Sequence, residues 1–257
     1  MTLRGMLPML LLTSVALAAC TPPAAGSSAP ASPSAAPPAS TPPAPVTPSA
    51  SPSRTPPKPA VTKAGLAYFF SIALGSEYGA KSAPVIRWTK PRVTVRVHGK
   101  PTKSARTCLD KVVTDFNALS RSTDLALTTG PADIDLHFAP LATFKSLEPD
   151  YVTGNDGFVH VEWNGFSSIT RANVLIRSSG LSPGIRCHLI REELTQGMGL
   201  LRDSNKYPGS IFYGRYLPAP TRYSKLDKEV IRLLYSDAVR PGDDKAAVTR
   251  AVRVTGS

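Results

Sequence analysis

Apolar and polar positions divide the chain into three unlike stretches. Met6 to Leu17 is almost wholly apolar, 21–60 holds hardly a large apolar residue, and from 61 onward apolar positions recur with regular periods. In that last stretch Gly65–Leu74 (GLAYFFSIAL) predicts a short helix leading into Gly75–Gly79, and Val85–Trp88 reads as a strand. Val93, Val95 and Val97 alternate with Thr94 and Arg96, the period of two that a strand with one wet face requires. Ser104 opens a predicted helix to about Leu119, with Cys108, Val112, Phe116 and Leu119 as one buried stripe. Leu125–Leu127, Ile134–Phe138, Phe158–Trp163 and Val174–Ile176 are further predicted strands. A second helix is predicted over Gly184–Leu201 and a third over Leu226–Tyr235, ended by Pro241–Gly242. No internal repeat is visible. This order predicts an α+β or mixed α/β sandwich.

The first two stretches change the domain picture. Of the 26 prolines, 14 lie between Thr21 and Ala60, where the only charges are Arg54 and Lys58 and the rest is mainly Ala, Ser and Thr. Such a mixture buries too little apolar surface to offset chain entropy, so 20–60 is expected to be a disordered, extended stalk and the fold to occupy 61–257. Arg4 followed by the apolar run and by Leu17-Ala18-Ala19-Cys20 predicts an export signal over 1–19. The last four residues resemble the lipobox of bacterial lipoproteins. That resemblance implies lipidation of Cys20 (palmitate among the acyl chains), two chains giving stable anchoring where one would be marginal. An ordinary signal cut after Ala19 is the alternative. Downstream of Leu17 nothing approaches the ~18 unbroken apolar residues of a spanning helix. The expected location is therefore extracytoplasmic, tethered to a bacterial membrane.

Cys108 and Cys187 are then an even pair outside the cytoplasm, which predicts a disulfide; two buried thiols are the other option. Net charge is +12, from 30 Lys+Arg and 18 Asp+Glu. The basic residues are dispersed and accompany no nucleic-acid motif, so nucleic acid is not an expected partner. Anionic envelope polymers or lipid headgroups are the more natural counterpart, with solubility alone explaining the charge equally well.

Candidate chemistry concentrates in Cys187–Asp203. At 3.6 residues per turn His188, Glu192 and Gln196 lie along one side of the predicted helix, while Ile190, Leu194, Met198 and Leu201 form the opposite stripe. The segment resembles the metzincin pattern H-E-x-x-H-x-x-G-x-x-H. Glu192, Gln196 and Arg202 stand at the three ligand positions, Glu193 at the general-base position and Gly199 at the glycine turn. Ser210-Ile211-Phe212-Tyr213-Gly214-Arg215-Tyr216 resembles the matrixin Met-turn with Phe212 in place of methionine, and Leu226–Tyr235 resembles the matrixin C-terminal helix. Glu192–Leu200 with Asp203 and Ser210–Phe212 is also similar to a domain-of-unknown-function family of bacterial envelope proteins carrying E-E-L-T-Q-x-x-G-L. Together these resemblances imply a zincin-like single domain, a twisted mixed sheet with packed helices, whose histidine ligands have been replaced.

Arginine cannot ligate a cation, and Glu with Gln is a poor pair for zinc. A ladder of His188, Glu192 and Gln196 spans about 11 Å, too far for one ion. No metal or other cofactor is therefore expected; an unusual metal, if any, would use Glu192 and Gln196. The expected function is binding of a peptide or cell-wall polymer in a cleft formed by His188, Glu192, Gln196, Asp203 and Tyr213. The alternatives are a hydrolase using Glu193 as general base, and a structural role in which these groups only satisfy one another. Arg191 or Arg202 would then pair with Glu193. His98 and His137 read as partly buried structural residues and His160 as a cleft-edge residue. Trp163, Tyr207, Tyr213 and Tyr216 are candidates to line a groove.

Overall fold

The computed structural model describes residues 57–75, 82–215 and 217–256. The predicted signal, Cys20, most of the stalk, the 76–79 segment and Tyr216 lie outside the described residues. The architecture is mixed α+β. Its elements are β1 (Ala60–Thr62), α1 (Lys63–Ala73), β2 (Arg92–Gly99), α2 (Lys103–Asn117), β3 (Asp124–Thr128) and β4 (Ile134–Ala139). After a 3-10 turn at Leu141–Thr143 come α3 (Phe144–Leu147), β5 (Gly157–Trp163), β6 (Ile169–Arg177) and α4 (Pro183–Gln196). The chain continues with α5 (Lys225–Leu234), α6 (Lys245–Ala251) and β7 (Arg253–Thr255).

Five strands form one sheet in the order β3-β2-β4-β6-β5. All neighbours are parallel except β5, which runs antiparallel to β6 and forms one edge. The alternation read from the sequence decides the faces. Val93, Val95, Ile134, Leu136, Val174 and Ile176 point into the main core, against which α2 and α4 pack. Opposite, Thr94, Arg96 and His98 share a face with Asp135 and His137, since Arg96 pairs with Asp135 and His98 with His137. There His98 stacks on His137 at 4.3 Å, and Asp135 bonds to Arg96, His98 and Arg171. Burial, helped by His98, holds the His137 imidazole below its ordinary value. The rest of that face is covered by a smaller cluster of Phe144, Tyr151, Phe158 and Leu175.

The predicted disulfide is present: Cys108 on α2 is bonded to Cys187 on α4, their Cα atoms 5.7 Å apart. It ties together two helices that pack against each other. α4 begins cleanly because Ser182 caps it by accepting from the Ile185 N–H, with Pro183 at the first helical position.

Two sequence expectations are corrected by the structure. Val85–Trp88 is not a strand; it makes a single bridge, Arg87 to Ser168. Its apolar residues are buried because the segment clamps the end of α4: the Trp88 indole N–H donates to the Gly197 carbonyl at 3.0 Å. Arg87, also buried, donates to the carbonyls of Leu234, Ser236 and Val239 at and just beyond the end of α5. Secondly, α4 stops at Gln196 rather than Leu201, whereas α5 over Lys225–Leu234 lies within a residue of the helix expected there. At Gly199 the backbone takes φ +109°, and a Cβ there would lie 2.3 Å from the Ile86 carbonyl oxygen. Only glycine fits, so the apolar spacing of Met198 and Leu201 belongs to a buried turn.

Candidate functional site

α4 is the element that builds the site. From His188 onward the helix exposes little surface: His188, Arg191, Glu192, Glu193, Thr195 and Gln196 are buried together with Leu189, Ile190 and Leu194. The expected division into a polar open side and an apolar packed side is thus modified. Arg191 is fully buried, pairing with Asp115 on α2 at 2.8 Å and lying 4.4 Å from the centre of the Tyr223 ring. It serves the helix–helix contact, where the sequence suggested Glu193 as its partner. Burial pushes the Tyr223 phenol up to about 12, and its hydroxyl lies 2.8 Å from the Thr195 hydroxyl.

Four other polar residues of α4 face a cleft of about 520 Å³. His188, Glu192, Glu193 and Gln196 form its floor, and Asp203 and Tyr213 line it from the segment after α4. All six residues named from the sequence therefore meet in one cavity. His160 and Trp163 of the edge strand β5 line it as well, with Trp163 half exposed. Tyr207 does not; it packs edge-on against Tyr68 at 4.9 Å.

Within the cleft the polar groups are tied to one another. His188 Nδ1 donates to the Pro220 carbonyl at 2.9 Å, and Nε2 lies 3.2 Å from a Glu192 carboxylate oxygen. Burial works against a charged imidazole at this position, yet Glu192 and the Pro220 carbonyl outweigh it and raise the His188 pKa. Gln196 Nε2 donates to Asp203 Oδ1 at 2.8 Å. Glu193 packs against Gly157 at the start of β5 so closely that a Cβ there would lie 2.5 Å from its Oε1. Below the cleft the Ser210–Tyr213 turn is pinned by Asp227 of α5. That carboxylate accepts from Ser210 Oγ and from the N–H groups of Ile211 and Ser224.

These donors do not fit the zinc that a zincin resemblance implies. Arg202 has no lone pair to give, and Gln196, whose amide nitrogen donates to Asp203, offers only a neutral carbonyl oxygen, a poor donor for zinc. Carboxylates are the commonest charged groups: Asp150, Asp156, Glu192, Glu193 and Asp203 line the cleft against Arg215, with Glu192 paired to His188 and Asp156 to Arg177. A chain of net charge +12 thus presents an acidic hollow.

Fold and site together define an α+β protein in which a buried polar helix floors an acidic cleft beside an antiparallel edge strand. The chain belongs to the family described as "Protein of unknown function (DUF2927)", whose model matches residues 63–254. No curated protein matches it. Similar solved structures include "Crystal structure of myroilysin", at 12% identity and TM-score 0.43, covering 70% of this chain and 98% of that one. A second, "Structure of Myroilysin", is similar at 12% identity and TM-score 0.40, covering 71% and 99%.

Proposed function

We propose that this is an extracytoplasmic protein, anchored to a bacterial membrane through lipid on Cys20 and held off it by 20–60. Its zincin-like domain over 61–257 binds a peptide in the cleft without conventional zinc proteolysis. The observation that carries this reading is the acidic cleft itself, about 520 Å³, open beside the edge strand β5. An edge strand offers backbone N–H and C=O groups to an extended chain, and the carboxylates on the floor favour basic side chains or a free amine. Trp163 provides an apolar platform at the rim. The same charges disfavour an anionic cell-wall polymer inside the cleft, leaving such polymers to the basic outer surface.

The test is titration of fluorescent peptides, lysine-rich and glutamate-rich at equal length, into the full-length protein. Preferential binding of the lysine-rich peptide is expected, weakened in Asp203→Asn and Trp163→Ala. Equal binding of both peptides, or of wild type and variants, would remove the cleft from the function. The hydrolase reading rests on the burial of Glu193 beside Glu192 in the same cavity. It requires peptide cleavage that Glu193→Gln abolishes while peptide binding persists.

A further inference from the structure

A second cluster of ligand-type side chains lies at the mouth of the cleft, away from the α4 floor. Among the described residues, Glu148, Asp150 and His160 are the trio whose donor atoms all fall within 4.8 Å of one another. The geometry points to a divalent transition-metal site of the zinc class at these three residues. It does not depend on whether the cleft takes a peptide.

Three features support the assignment. His160 Nδ1 lies 3.5 Å from Asp150 Oδ2 and 4.0 Å from Glu148 Oε1. These are too long for good hydrogen bonds. They approach the spacing of donors that share one ion at about 2.0–2.2 Å, roughly 3.4 Å apart in a tetrahedral site. Secondly, Glu148 is already oriented: it is buried, its Oε2 accepts from Asn173 Nδ2 at 3.1 Å and its Oε1 from the Asp150 N–H at 3.1 Å. Such outer partners fix a ligating carboxylate. Thirdly, Asn173 stands directly across the β5–β6 ladder from His160, and its Nδ2 also donates to the Leu147 carbonyl at 3.0 Å, which fixes the amide that orients Glu148.

The donor set selects the class of ion. An imidazole nitrogen with two carboxylates suits zinc and its neighbours and disfavours calcium, which takes oxygen donors throughout. Asp150 is the exposed member and sits on the loop after α3, so it can close the small remaining gap. Three protein donors leave a coordination position for water or for an anionic group on whatever enters the cleft, since Asp150 and His160 both line it.

The test uses the untagged full-length protein, stripped with chelator, dialysed and titrated calorimetrically with Zn²⁺ and separately with Ca²⁺. One equivalent of Zn²⁺ is expected, with Ca²⁺ not bound at the same concentrations. Asp150→Asn and His160→Gln should each weaken Zn²⁺ roughly tenfold or more. Asp150 is exposed, so its variant tests the site without disturbing the core. Glu192→Gln separates this site from one on α4. Absence of saturable binding, affinity unchanged in both rim variants, comparable Ca²⁺ binding, or loss in Glu192→Gln alone would each overturn the assignment.

Discussion

His188 and Glu192, one helical turn apart on α4, form a buried pair at 3.2 Å, and the far side of the imidazole is fastened to the Pro220 carbonyl. The helix that floors the cleft is thereby tied to the loop that precedes α5. Because Nδ1 must carry a proton to meet a carbonyl and Nε2 faces a carboxylate, the arrangement is best satisfied by the doubly protonated ring.

A pH dependence of stability follows. The folded-state pKa of His188 is raised, so protons bind the folded chain more tightly than the unfolded one. The stabilisation is fully present below the unfolded value of 6.5 and is lost as pH rises through the higher folded value. Urea midpoints measured from pH 5.5 to 9 should fall over that window in the wild type. In His188→Gln that component of the fall should be absent; a slope identical to wild type would show that the pair does not titrate.

The bond between Cys108 and Cys187 closes a loop of 79 residues and holds α2 to α4. Loop entropy alone gives about 4 kcal/mol for such a closure. Cys108→Ser with Cys187→Ser should lower unfolding free energy by roughly 2–5 kcal/mol, read by chemical denaturation. Reduction of the wild type should reproduce the loss.

Gly199→Ala should destabilise the chain by roughly 2 kcal/mol or more. The added methyl would meet the Ile86 carbonyl oxygen at 2.3 Å in a conformation that L-residues seldom adopt. Since Trp88 fixes the Gly197 carbonyl two residues earlier, relief must come from the clamp, and the indole emission should shift with the loss of stability. A melting curve indistinguishable from wild type would contradict this account of the turn.

Asp227 is fully buried, and its carboxylate accepts from the turn under the cleft and from the start of α5. In Asp227→Asn an amide NH₂ replaces one acceptor among donors, leaving at least one buried N–H or O–H without a partner. A loss of about 1–3 kcal/mol is expected, with increased hydrogen exchange at Ile211 and Ser224. Unaltered exchange at those two amides would mean that the turn is held by other contacts.

Much of the fold was legible because its signals are local. The period of two at Val93–Val97 became β2, the stripe of Cys108, Val112 and Phe116 became the core side of α2, and an even pair of cysteines became a disulfide. Val85–Trp88 misled because an apolar run records burial without saying which contact causes it: in this chain a clamp on α4, not a ladder. The short β1 and β7 strands and α6 carry too few residues to show a period, and the long separation of Ala60 from its partner Arg253 gives no local sign of pairing.

For the site, the sequence by itself determined that His188, Glu192 and Gln196 share a helix side and that the zinc ligands of the resembled pattern are replaced. Helical spacing and donor chemistry depend on nothing outside the segment. Only the tertiary structure decided what those groups face. It set β5 beside α4, brought Asp203 and Tyr213 to the same hollow, gave Arg191 to Asp115, and gathered Glu148, Asp150 and His160 at the rim. Such meetings depend on how a sheet edge and a helix pack across long sequence separations. That packing is a property of the whole core, and no stretch of chain encodes it alone.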